Sequence, residues 1–400
     1  MGPGDHGNPR LRMAVRRCSS LSAAAVVLLV ASACGLGGAK PAARPASPAS
    51  AAPQVEQFGR GGWKTNFNKH SVPLSEISRG GPLKDGIPAV DHPKFVGVAD
   101  ADSWLKPPEP VIALTVAGES RAYPMQIMVW HEIVNDAIGG VPVTVTFCPL
   151  CYTAIAFDRR AAGQVLDFGT SGNLRKSDLV MYDRQTESWW QQAIGQAIVG
   201  ELTGTHLTIL PASIVSWASF RTAYPRSEVL SKDTGFGRSY GVNPYIGYDS
   251  ANSHPFLFDG KLDGRLPPKE HVVTVSIGAE DVAYPYSLLK QRRVVQDTVG
   301  GGPIVVFYEP GATSGLDAAT VADGFDVGAS GVFSSELDGR RLTFTAGGSA
   351  FVDAETGSRW NLLGQAVSGP MAGRQLVPIL HGDYFWFAWA AFKPSTRIYR

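Results

Sequence analysis

"AYPMQIMVWHEIVNDAIGGVPVTVTFCPLC", residues 122–151, recurs in the same chain as "AYPYSLLKQRRVVQDTVGGGPIVVFYEPGA", residues 283–312, at a constant offset of 161 and without a gap. Over residues 122–147, 9 of 26 positions are identical, among them Tyr123, Pro124, Asp136, Gly139, Gly140 and Pro142. A second stretch repeats further on. Asp183, Thr186, Ser188 and Trp190 in "YDRQTESWWQQAIGQAIVGELTG" match Asp353, Thr356, Ser358 and Trp360 in "FVDAETGSRWNLLGQAVSGPMAG". Self-similarity of this kind reads as an internal duplication. It predicts two pseudo-symmetric halves, 108–230 and 268–400, joined by a Gly/Tyr/Asp-rich connection, 231–267, and preceded by a separate element, 58–107, packed on the core.

The local pattern within each half favours strands. "VIALTVAGESRAYP" and "VVTVSIGAEDVAYP" read as hairpins turned at glycine, and "VPVTVTF", "PIVVFY", "TAIAFDR" and "LVMYD" alternate or run apolar over strand length. Helical spacing is confined to "MQIMVWHEIVNDA", "PASIVSWASFRTAYP" and "YFWFAWAAFKP", the last too short to span a bilayer and therefore core. The fold class is mainly β with short helices (α+β).

The first 33 residues read as a signal peptide. Arg10, Arg12, Arg16 and Arg17 precede the apolar run "LSAAAVVLLVASAC", and Met13 is an alternative start. Small residues before Cys34 resemble a bacterial lipoprotein signal, which makes Cys34 the expected lipidation site and a lipid anchor the expected membrane contact. Residues 34–57, rich in Pro, Ala and Ser, lack the apolar surface to fold and read as a disordered tether. Localisation is therefore expected to be extracytoplasmic, anchored to the cell membrane or else secreted. With 36 Lys+Arg against 35 Asp+Glu and no basic run, no nucleic-acid partner is expected.

Once Cys18 leaves with the signal and Cys34 is acylated, only Cys148 and Cys151 remain in the folded part. The second half carries Glu309, Pro310, Gly311 and Ala312 at their places, and Gln291, Arg292 and Arg293 in place of Trp130, His131 and Glu132. Residues shared by both halves most simply hold the fold, so the first half is where chemistry is expected. The pair reads in three ways. Two thiols flanking Pro149 and Leu150 have the spacing of attacking and resolving groups in thiol exchange, with Cys148 attacking and His131 tuning a thiolate or relaying protons. The same pair with His131 is a set of ligands for copper or another soft metal, with Met125 and Met128 as further soft donors. A disulfide across so short a loop is a staple worth only about 2 kcal/mol, in an otherwise non-catalytic ligand-binding lipoprotein. Trp130, Glu132 and Pro149 are the supporting residues in any of these.

"GGPLKDGIPAVDHPKF", "AYPMQIMVWHEIVND", "GGVPVTVTFCPLCYTAIAFDR", "FGTSGNLRKSDLVMYDRQTESWWQQ" and "FWFAWAAFKP", occurring in this order, resemble the bacterial and archaeal family catalogued as domain of unknown function 3179. The resemblance covers nearly all of residues 60–400. The family has no established reaction, but some members carry selenocysteine in the Cys-x-x-Cys motif. This implies that Cys148 and Cys151 are a redox pair. For that reading the expected partner is an unknown protein or small molecule and no cofactor is expected, against copper for the metal reading. Tyr152 departs from the family pattern, which favours a small residue there.

Overall fold

The computed structural model describes residues 61–400, which lie in one compact unit, Val55–Arg400. The signal peptide, the tether and Cys34 fall outside the described residues. The described chain is mostly β, in several sheets with a few short helices. None of its helices is long and apolar enough to cross a membrane.

The first half opens with a hairpin, β1 (Pro110–Val116) and β2 (Glu119–Pro124). Ala117 (φ 51°) and Gly118 (φ 83°) form its two-residue turn, and positive φ at both places gives the twist that such a turn must match. Pro124 then precedes helix α1 (Met125–His131) as its N-cap. The sequence reading carried this helix through "EIVNDA". Instead Glu132 takes a left-handed conformation (φ 58°) and donates its N–H back to Met128 O, and Ile133–Ile138 forms strand β3. The β-branched Ile133 and Val134 suit a pleated sheet better than a further helical turn. Gly139 and Gly140 turn the chain into β4 (Val141–Cys148), which pairs onward with β5 (Thr153–Asp158). A Cβ at Gly139 would stand 2.7 Å from Ala117 Cβ, so the two hairpin turns can pack only if this residue is glycine.

Next come β6 (Phe168–Arg175), β7 (Asp178–Asp183) and β8 (Trp189–Gln191), which form a sheet whose edge includes Ile77–Arg79. The half closes with β9 (Ala212–Ser216), α2 (Trp217–Ala223) and β10 (Glu228–Leu230). The stretches expected to be helical around α2 and at the C-terminus are each a strand followed by a seven-residue helix. Ser216, the N-cap of α2, accepts from Ser219 N and fixes where the helix starts.

The same order of elements recurs in β11 (His271–Ile277), β12 (Glu280–Pro285), α3 (Tyr286–Arg292), β13 (Val294–Val299), β14 (Gly302–Glu309), β15 (Ala329–Ser334), β16 (Phe344–Gly347), β17 (Ala350–Asp353), β18 (Arg359–Trp360), β19 (His381–Phe385), α4 (Trp386–Phe392) and β20 (Arg397–Ile398). Registers recur as well. Val111 faces Pro124 as Val272 faces Pro285, and β10 runs parallel to β2 as β20 does to β12. Two of the differences between the halves lie at hairpins. Residues 149–152 join β4 to β5, whereas residues 310–328 join β14 to β15. The hairpin β6–β7 closes on the pair Arg175/Asp178, while β16–β17 closes on Gly347/Ala350, and matching Asp183 to Asp353 leaves β7 two residues longer at its start.

One core cluster spans both halves. It joins Met125, Phe147, Cys148, Cys151 and Tyr152 to Tyr384, Phe385, Trp386 and Phe387 of β19 and α4. The connection 231–267 has neither helix nor strand and lies against α1 and the 310–328 loop through Trp130 Nε1–Val242 O (3.1 Å) and Tyr248 N–Leu316 O (3.1 Å).

Candidate functional site

Cys148 is the last residue of β4 and pairs with Thr153 across the strand. Between them Pro149, Leu150, Cys151 and Tyr152 form a tight turn, in which Cys151 N donates to Cys148 O (3.2 Å) and Tyr152 sits at φ 53°. The Cys-x-x-Cys spacing therefore becomes a β-turn at a hairpin tip. Both cysteines carry free thiols, and both are buried, at 1% and 0% exposure.

Three other parts of the chain close over this tip. Phe385 N of β19 donates to Cys151 O (2.8 Å), and Tyr248 of the connection donates its hydroxyl to Leu150 O (3.1 Å). Tyr152 packs its ring against Phe147, His271 and Phe385. From the other side comes the tip of the β6–β7 hairpin, where Lys176 (φ 54°) and Ser177 (φ 63°) make a two-residue turn. The Cys151 thiol donates to Ser177 O at 3.3 Å, and Cys148 Sγ lies 4.0 Å from the same oxygen.

The residue after that turn is Asp178, fully buried. One carboxylate oxygen, Oδ2, accepts from Gln191 Nε2 (2.5 Å) and Ala193 N (3.0 Å). The other, Oδ1, is buried without a nitrogen or hydroxyl donor, and the Cys148 and Cys151 thiols are the carboxylate's remaining hydrogen-bond partners. The two sulfurs and an Asp178 carboxylate oxygen all lie within 4.8 Å of one another. Burial pushes the Asp178 carboxyl up to about 6, against the pull of its hydrogen bonds from Ala193, Gln191 and the two cysteine thiols. Burial also raises both thiols above the ordinary cysteine value, with neighbouring Asp178 adding to it at each.

His131 stands in a different setting. Its Nδ1 donates to Pro88 O (2.7 Å), which fixes the tautomer so that Nε2 accepts from Tyr240 OH (2.6 Å). Both ring nitrogens are thus engaged, His131 does not join the cluster of sulfurs and Asp178, and burial lowers its pKa. Its two neighbours follow the same pattern. Trp130 Nε1 holds Val242 O, and Glu132 Oε1 accepts from Tyr245 OH at 3.4 Å. Trp130, His131 and Glu132 therefore clasp the 231–267 connection, which in turn supplies Tyr248 to the cysteine turn. Glu132 is buried, and desolvation raises its carboxyl to about 8. Pro149 is buried within the turn. In the "GGPLKDGIPAVDHP" loop, Asp85 accepts from Tyr182 and Arg184, and Asp91 from Asn135, so its polar side chains fasten that loop to the first-half sheets.

Asp178, Ser177, Gln191 and Tyr248 were not singled out by sequence reasoning. Asp178 and Gln191 lie inside the quoted "FGTSGNLRKSDLVMYDRQTESWWQQ", but a lone aspartate at a hairpin turn carries no spacing signal towards Cys151. No curated protein and no solved structure matches the chain. The family model described as "Protein of unknown function (DUF3179)" matches residues 84–396, most of the chain and all of the turn, clasp and carboxylate just described, and the protein belongs to that family.

Proposed function

We propose that the protein is an extracytoplasmic thiol–disulfide redox protein whose reacting groups are Cys148 and Cys151. The observation that carries this reading is the turn itself: two free thiols held in one four-residue hairpin turn, in the half whose counterpart has no cysteine. In the reaction, a thiolate of the pair attacks a partner disulfide and the second thiol resolves the mixed disulfide. One S–S bond forms in the turn, the partner's S–S bond breaks, and the partner leaves as two thiols carrying the two electrons and two protons. The raised thiol pKa values and the burial make this exchange slow until Tyr248 and Phe385 release the turn. Anchoring through Cys34, and descent of the two halves from one duplicated unit, belong to the same proposal.

The test is a titration of the chain in a graded dithiol buffer, with the Cys148 and Cys151 thiols counted by alkylation and mass spectrometry. A reversible midpoint well above about −300 mV is the expected result, because labile functional disulfides lie there. A lower midpoint makes the pair a staple and overturns the proposal.

A further inference from the structure

We infer that Cys148, Cys151 and Asp178 form a three-ligand site for a divalent transition metal of borderline softness, zinc foremost. The inference stands beside the redox proposal without resting on it, since a metal takes the reduced pair and a disulfide has no thiolate to give.

Three observations carry it. First, the donor atoms already converge: a tetrahedral zinc with Zn–S of about 2.3 Å holds two thiolates about 3.8 Å apart, and the two sulfurs and the carboxylate oxygen lie within 4.8 Å of one another. Second, Asp178 divides its oxygens. Oδ2 is oriented by Gln191 and Ala193, as second-shell donors orient a ligating carboxylate, while Oδ1 has no nitrogen or hydroxyl donor and the carboxylate's other hydrogen bonds come from the Cys148 and Cys151 thiols. A divalent ion would take the place of the two thiol protons that this carboxylate meets in the metal-free chain. Third, the second half has none of the three: Glu309 stands for Cys148, a long loop replaces the turn, and the shorter β16–β17 hairpin does not extend to a counterpart of Asp178.

Charge selects the ion. With Asp178 ionised, the site holds one negative charge on two thiols and a carboxylate. A divalent ion that displaces both thiol protons leaves that charge unchanged, since +2 replaces two protons. Monovalent copper on the same ligands would leave one more negative charge buried, and the thiolates disfavour magnesium and calcium. Three protein ligands leave a fourth position, which the Ser177 carbonyl borders at 3.3 Å from Cys151 Sγ. His131, spent on Pro88 and Tyr240, is not a ligand.

The experiment uses the full chain, reduced with a phosphine under anaerobic conditions and titrated with Zn²⁺ against a chromophoric chelator. Expected are one zinc per chain, a higher urea midpoint for alkylation of Cys148 and Cys151 with zinc than without it, and a Co²⁺ derivative with a thiolate charge-transfer band. Asp178→Asn keeps an oxygen for Gln191 and Ala193 and puts an amide nitrogen at the other corner, towards the thiols, so its fold and its two countable thiols should survive. Its zinc affinity should fall by at least roughly tenfold. His131→Gln should bind zinc as the parent does. No stoichiometric zinc in the reduced parent, or Asp178→Asn binding as tightly as the parent, overturns the site. The dithiol midpoint is measured separately, so a failed redox reading and a failed metal site give different results.

Discussion

Glu132 joins helix to strand in a conformation that few non-glycine residues adopt, and its carboxyl is buried beneath Tyr245. Arg293 repeats the backbone geometry in the second half (φ 65°, N–H to Leu289 O), so this left-handed stop is what the α-to-β junction demands rather than a property of glutamate. What is particular to Glu132 is its titration. Its folded pKa, about 8, lies above the unfolded carboxylate value, so its stability contribution is whole below about pH 4.5 and declines as the pH rises to about 8. Tyr245 lowers that pKa and the Asp178 charge raises it. Glu132→Gln should therefore be more stable than the parent by on the order of 3 kcal/mol at pH 8 and equal to it near pH 4.5. Urea unfolding at both values checks this, and an equal gain at both would refute it. At this scale the cysteine pair was legible, because spacing and the contrast between halves both mark it. Asp178 was not, because its nearness to Cys151, 27 residues away (178 − 151), arises only where the tips of two hairpins meet.

Among the elements, the β7–β8 corner shows how the sequence marks a structural unit. Asp183 accepts from Thr186 N (2.6 Å), Thr186 Oγ1 (2.8 Å) and Trp190 Nε1 (2.9 Å), and Asp353 does the same for Thr356 and Trp360. Both aspartates and both tryptophans are fully buried. Asp183→Ala and Asp353→Ala each strand an indole N–H and a turn N–H, and each should cost about 3 kcal/mol in chemical denaturation. A loss under about 1 kcal/mol at either corner would show that the two are not energetic equivalents. These corners were readable because they depend on residues three to seven apart. The helix ends were less so: the apolar spacing of "MQIMVWHEIV" fits a helix past Glu132, and only the pairing of β3 with β4 decides that Ile133 and Val134 belong to a sheet.

For the molecule as a whole, the cysteine turn lies inside the core that both halves share, where its Tyr152 packs with Phe147 and with Phe385 of the second half. Full exposure of the thiols should thus accompany loss of the common core. In urea, the midpoint from tryptophan emission should coincide with the midpoint from pulsed alkylation of Cys148 and Cys151. Thiols that open at distinctly lower urea would mean that the turn forms a separate cooperative unit. The repeated order of elements was legible at this scale, since strands of fixed period repeat their residues. The sharing of one core between the halves was not, because no local pattern records which apolar faces meet.

The bond from Phe385 N to Cys151 O also has a consequence in time. A chain grows from its N-terminus, and Phe385 follows Cys151 by 234 residues (385 − 151). At about 5–20 residues per second, ribosomal synthesis leaves an interval on the order of 10–50 s in which the turn exists and its cover does not. For that interval nothing in the second half is yet present to cover the thiols, and their burial begins only once Phe385 has been made.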